Sequence, residues 1–217
     1  MSPLHPYYPP TLHLPQYIPP THPLTYTLGI TLGTITLVIV LGGWLGKRKG
    51  LPLSKQTTFT WFVLCGFLHS TLELYFILNH RTLASDNSIL GHVWKEYAKS
   101  DSRYLSSDTF LWCTEALTVY LIGPLCWYTS YLTYKQTLTH HLYVVLTSTC
   151  HLITCSLYFS TSLLEGSPEC IPETQYFWIY FIGFNLPWIL IPGLLIFFNL
   201  TSLNQILNFK VKNFKSL

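Results

Sequence analysis

The sequence predicts an all-α polytopic membrane protein, a bundle of five transmembrane helices. Only 10% of its residues are charged and 49% are hydrophobic, against about 25% charged in a soluble domain. Five apolar segments each approach the roughly 20 residues that a spanning helix needs. Aromatic residues reach 16%, with 15 Tyr and 7 Trp, as both interfacial belts and cavities for flat ligands require. At 217 residues the chain has room for one bundle. The net charge of +3 is too small and too scattered for a nucleic-acid partner. The partners implied are the lipid bilayer and an apolar small molecule; a homodimer is left open.

Three regions follow. Residues 1–23 form a Pro- and Tyr-rich arm without a basic residue or an apolar core, so it is neither a signal nor a transit peptide. Its prolines oppose a helix. It is either a disordered tail or an arm that lies along the membrane surface or caps the bundle. Residues 24–200 hold the five segments, approximately 24–45, 59–78, 109–132, 142–164 and 176–200. The first is nearly pure Leu, Ile, Val, Thr and Gly, and reads as a lipid-facing anchor. The other four carry polar residues at membrane depth. A short connection between the third and fourth makes them antiparallel neighbours. Residues 201–217 are a short basic tail.

Lys and Arg counts set the orientation. Lys47, Arg48, Lys49, Lys55, Lys135, Lys210, Lys212 and Lys215 fall on one side; Arg81, Lys95, Lys99 and Arg103 fall on the other, diluted by acids. Eight against four places the C-terminus in the cytosol and the N-terminal arm in a lumen or outside. The stretch HVWKEYAKSDSRY mixes charge with aromatic residues, as an ordered interfacial segment does, and would lid the lumenal end.

The second segment carries the chemistry. His69 and Glu73 are four apart on a helix and share a face. A charge at that depth costs roughly 2.5 to 3.5 kcal/mol on insertion scales unless it faces the interior of the bundle. Glu115 and Thr118 share a face of the third segment, His151, Thr154 and Ser156 lie on the fourth, and Asn185 and Trp188 flank Pro187 on the fifth. Together these supply acids, imidazoles, an amide and an indole around an apolar space. A neutral carboxylic acid donates a proton, a deprotonated neighbour takes one back, and an indole face stabilises a cation by about 1 to 2 kcal/mol. That set suits moving a double bond, or rearranging a polycyclic hydrocarbon, through a carbocation without a cofactor.

Plainer readings compete. His69 with Glu73 also suits a structural pair between helices, His151 a satisfied core histidine, and Asn185 and Trp188 helix packing. The nine His are dispersed without an H-E-x-x-H or HHxxH cluster, so no metal is expected. The cysteines lack ligand spacing; five lie in apolar segments and Cys170 in a loop, which reads as buried thiols. Asn199-Leu200-Thr201 fits a glycosylation pattern at an edge expected to be cytosolic.

The pieces HPYYPP, CGFLHSTLE, VWKEYAKSDSRY, CTEALTVYLIGP and YFWIYFIGFNLPWILIPG resemble the emopamil-binding protein (EXPERA) family, the sterol Δ8-to-Δ7 isomerases of the endoplasmic reticulum. The resemblance runs from His5 to about Phe198. It implies a sterol cavity open to the membrane, lined by the residues matching His69, Glu73, Glu115, Thr118, Asn185 and Trp188, in which an acid protonates an alkene and a proton leaves the neighbouring carbon. Two departures stand out. Leu74 occupies a usual glycine, adding bulk beside the site and so a candidate substrate contact. His151-Leu152-Ile153-Thr154 replaces a usual Gln-x-Tyr-Gly, making His151 a second candidate contact. An unchanged acid-base set with changed walls favours the specialised plant branch, which rearranges an epoxidised triterpenoid of the melianol oxide type towards limonoids. The ordinary sterol step and a non-enzymatic sterol- or amphiphile-binding receptor are the alternatives.

Overall fold

The computed structural model describes residues 4–215, with side chains to residue 212. Residues 1–3 of the arm, the Lys215 side chain and residues 216–217 of the tail lie outside it.

Five helices are long and apolar enough to cross a membrane: α1 Leu24–Arg48, α2 Leu53–Asn79, α4 Thr109–Tyr134, α5 His140–Leu164 and α6 Tyr176–Lys212. A shorter helix, α3 Ile89–Tyr97, lies between α2 and α4, begun by Ser88, whose hydroxyl accepts from the Gly91 amide at 3.0 Å. Helix α2 starts six residues before the expected Phe59: Pro52 is its extended N-cap, its carbonyl accepts from the Gln56 amide at 2.9 Å, and the polar stretch Ser54–Thr58 continues the helix.

Only 6% of the apolar window of α1 is buried, so its hydrophobicity faces outward. It holds to the bundle through small residues. Gly42 and Gly46 lie one turn apart against α2, and a Cβ on Gly46 would stand 2.9 Å from Gln56 Cγ. Gln56 then reaches across to donate to the Gly43 carbonyl at 2.9 Å. Helix α2 packs chiefly on α4, and α5 on α6.

Three spanning helices loosen into π-helical turns, at His69–Glu73, Thr118–Ile122 and Tyr176–Gly183. In α4 and α6 a proline explains the turn. Pro124 and Pro187 lack an N–H, and each ring crowds the carbonyl four residues earlier, Tyr120 and Gly183. The hydrogen-bond ladder widens where that carbonyl is released.

One end of the bundle gathers the basic ends of α1 and α4, where Lys49 Nζ lies 5.5 Å from the Tyr134 ring. The other end is covered by residues 80–108, the 165–175 loop and the N-terminal arm. Tyr7, Leu14 and Tyr17 of the arm are buried. Tyr7 OH donates to the Lys95 carbonyl at 3.1 Å, Ser102 Oγ to Tyr8 O at 2.6 Å, and the Ile18 amide to Ala84 O at 3.0 Å. Lys95 is fully buried and donates to Ile18 O at 2.7 Å and Asn87 Oδ1 at 3.2 Å. Lys95→Met leaves the Ile18 carbonyl unpaired, a loss of about 1 to 3 kcal/mol from the arm. Limited proteolysis in detergent checks this: cleavage within residues 8–20 quickens in the variant, and an unchanged digestion pattern contradicts it.

The cysteines depart from expectation at Cys113, which is exposed on the outer face of α4, and Cys150, which is half-buried. Loop residue Cys170 is buried. The Asn199 side chain is engaged inside α6, accepting from His141 Nδ1 at 2.6 Å and donating to Leu195 O at 2.7 Å.

Candidate functional site

The bundle encloses a largely apolar cavity of about 370 Å³, within the range of pockets that take small organic ligands. Residues Thr27 to Ile35 of α1 line one part, α2 and α4 supply Glu73 and Glu115, α3 adds Glu96, and α5 and α6 complete the lining. His69, Glu73, Glu115, Thr118, His151, Asn185 and Trp188 all line it, as does Thr154. Seven of the eight site residues expected from sequence therefore meet in one chamber. The eighth, Leu74, does not: it is partly buried against the core cluster that contains Phe76 and Trp94. Ser156 is exposed on the far side of α5.

His69 is the junction of the polar set. Its Nδ1 lies 3.2 Å from Glu73 Oε1, and its Nε2 lies 3.0 Å from His151 Nε2. The π-helical turn carries both His69 and Glu73, so the pair survives there although the turn is wider than an α-helical one. A Cβ at Gly123 would stand 3.2 Å from His69 Cβ, so the missing side chain lets α4 approach α2 at this level. The second Glu73 oxygen, Oε2, is buried without a protein partner, which leaves it available to a ligand.

Glu115 accepts a hydrogen bond from Tyr104 OH at 2.8 Å. Burial and the nearby Glu115 carboxyl hold that phenol well above the ordinary range, so it stays a donor. Asn185 donates to Tyr97 OH at 2.8 Å and to Phe181 O at 2.7 Å. Burial likewise raises the Tyr97 phenol. The Thr118 hydroxyl is spent on the Thr114 carbonyl at 3.0 Å, so Thr118 presents mainly its methyl group to the cavity. Trp188 stacks at a tilt against Trp61, with ring centroids 5.4 Å apart.

Sequence reasoning missed Tyr97, Tyr104 and Cys126. The tyrosines arrive from the connection between α2 and α4, read from sequence only as a lid. Cys126 Sγ stands 3.7 Å from His151 Nε2. Cys65, His69 and His151 bring ligand-type atoms within 4.8 Å of one another, against the expectation of dispersed histidines. The available signal was Cys65-x-x-x-His69, one helical turn apart.

The arrangement puts three carboxyl groups, of Glu73, Glu96 and Glu115, and two imidazoles, of His69 and His151, on the wall of an apolar chamber, with two phenols bonded to the polar set. It can lend a proton to a hydrocarbon and take one back in the absence of bulk water.

The family model for EBP, described as EXPERA (EXPanded EBP superfamily), matches residues 89–198. The whole chain is 33% identical to the 3-beta-hydroxysteroid-Delta(8),Delta(7)-isomerase of Rattus norvegicus, over 97% of that protein. A probable enzyme of the same name from Arabidopsis thaliana is 34% identical over 89% of this chain and 86% of its own length. A protoglabretal synthase from Ailanthus altissima is 29% identical over 88% of this chain and 89% of its own. The chain is thus a membrane-embedded isomerase of the EBP family, within the EXPERA superfamily.

Proposed function

We propose that this chain isomerises a sterol-like triterpenoid inside the membrane by protonation, carbocation rearrangement and deprotonation. The observation that carries the reading is that Glu73, His69 and Glu115 line one apolar cavity. One carboxyl group gives its proton to a ring carbon or an epoxide oxygen. A cation forms beside the Trp188 face, and the other acid-base group removes a proton from a neighbouring carbon. One proton is given and one is taken up, so the net charge of the chain is unchanged, and the proton passes back to the donor carboxyl before the next turnover. His69, Glu73 and Glu115 are the catalytic residues; Thr118, Asn185, Trp188 and His151 shape the substrate space.

The favoured substrate is an epoxidised plant triterpenoid of the melianol oxide type. What supports it is His151: a second imidazole within hydrogen-bond reach of His69 adds polarity to a wall that an oxygenated substrate meets. The Leu74 argument does not support this choice, because that side chain stands off the cavity. The second reading, a Δ8-to-Δ7 sterol isomerase, is favoured by identities of 33–34% to enzymes of that name, against 29% for the protoglabretal synthase. We place the protein in the endoplasmic reticulum membrane, with the arm lumenal and the tail cytosolic.

Microsomes from a sterol-isomerase-deficient yeast expressing the chain separate these readings. Incubated with a Δ8-sterol and with an epoxy-triterpenoid, they are expected to convert the epoxide. Conversion of the Δ8-sterol alone replaces the favoured substrate by the second. Conversion of neither, with both compounds shown to bind, supports a non-enzymatic amphiphile-binding role instead.

A further inference from the structure

Four soft ligand groups converge where α2, α4 and α5 meet. Cys65 and His69 come from α2, Cys126 from α4 and His151 from α5; none is more than 2% exposed. His69 Nε2 faces His151 Nε2 at 3.0 Å, and Cys126 Sγ lies 3.7 Å from the same His151 nitrogen. The ligand atoms of Cys65, His69 and His151 all fall within 4.8 Å of one another. Cys65 and Cys126 pack in one cluster with Phe62, Ile122 and Val144.

An apolar core does not by itself explain this convergence, since a hydrogen bond between two imidazoles needs neither thiol. A tetrahedral Zn²⁺ site with bonds of about 2.0–2.1 Å to nitrogen and 2.3 Å to sulfur sets its donor atoms roughly 3.3–3.8 Å apart. The 3.7 Å spacing falls in that range and the 3.0 Å spacing just below it, while the ligand atoms of Cys65, His69 and His151 lie within 4.8 Å of one another, a gap that side-chain rotation closes. The remaining nitrogen of His69 is already held by Glu73 Oε1 at 3.2 Å. A carboxylate behind an imidazole is the arrangement that orients and strengthens metal-bound histidines.

We propose that Cys65, His69, Cys126 and His151 form a binding site for a thiophilic divalent cation of the zinc class. Loading breaks two S–H bonds and forms two metal–sulfur bonds. The two protons go to solvent, and nothing is oxidised or reduced. Two thiolates and two neutral imidazoles cancel the dication, so the filled site carries no net charge, which is what a low-dielectric interior tolerates. A monovalent soft ion would leave one negative charge there. His69 and His151 reach the cavity wall, which gives the ion its way in. The two readings share His69: with the site filled its Nε2 holds the ion and its Nδ1 faces Glu73, so proton transfer then falls to Glu73 and Glu115.

The test uses the full chain, reduced, stripped with a chelator and titrated with Co²⁺ in detergent. One ion per chain is expected to bind, with an intense thiolate-to-cobalt charge-transfer band and tetrahedral visible bands, all displaced by Zn²⁺. Two protons leave per ion. The pair Cys65→Ser and Cys126→Ser removes the charge-transfer band. His151→Gln weakens binding by at least the ~10- to 100-fold seen on losing an outer-shell partner. A spectrum without thiolate bands, or one unchanged in the double serine variant, overturns the site. The wild-type spectrum alone reports thiolate ligation, so a poorly folding variant does not blunt the test. None of these readouts is turnover, so a failure here leaves the isomerase reading intact, and a failure of that reading leaves this one.

Discussion

Glu115→Gln and Glu73→Gln each lower product formation by at least about 100-fold, the contribution of a positioned proton donor or acceptor. Glutamine keeps the shape and most of the hydrogen bonding of glutamate, so Tyr104 retains an acceptor at position 115 and His69 one at position 73. What it loses is the transferable proton. Steps that share one transfer cycle are not additive, so the double variant falls little below the weaker single one. Turnover assays on microsomes, with product identified by mass spectrometry, provide the measurement. Binding of a cationic amphiphile to the same variants shows that the cavity persists. Turnover within tenfold of wild type in both single variants removes the carboxyl groups from the mechanism.

Much of this site was legible because it breaks a strong pattern. A carboxylate inside WFVLCGFLHSTLELYFIL has few places to point, and the i, i+4 spacing to His69 fixes which face it shares. The helix count was legible for the same reason, since length and hydropathy are properties of each segment alone. Which face of a segment meets lipid was not. Lipid is as apolar as a packed core, so a hydrophobic position carries no label of its partner. Cys113 reads the same as Cys126, yet the first is exposed and the second fully buried.

Leu74 was misplaced for a reason the sequence did contain. Neighbouring residues on a helix project about 100° apart, so the residue after Glu73 leaves the face on which Glu73 sits. Tyr97 and Tyr104 were invisible in a different way. They reach the cavity only because residues 80–108 fold back over the bundle end, a long-range contact that no local spacing encodes.

That fold-back contains a buried ion pair, and breaking it has the largest expected effect on stability. Asp101 is fully buried and Arg103 nearly so. Arg103 donates through Nη2 to Asp101 Oδ2 at 2.6 Å, through Nε to Oδ1 at 2.9 Å, and through its amide to Oδ1 at 3.1 Å. Around them, the Ser102 amide donates to Glu169 O at 3.2 Å, and Ser102 Oγ ties down the arm at Tyr8. Burial holds the Asp101 carboxyl above its usual range, although the Arg103 guanidinium opposes the shift. The pair therefore fixes a geometry at an energetic cost. Asp101→Asn leaves a guanidinium buried without its counter-charge, a loss of about 3 to 5 kcal/mol. Replacing both residues with apolar ones of similar volume, Asp101→Leu with Arg103→Met, recovers most of that loss, because neither charge is then desolvated. Unfolding midpoints in detergent distinguish the two cases. A single variant that melts within about a degree of wild type means that the loop does not depend on this pair, and that Tyr97 and Tyr104 are held over the cavity by aromatic packing and by their hydrogen bonds to Asn185 and Glu115.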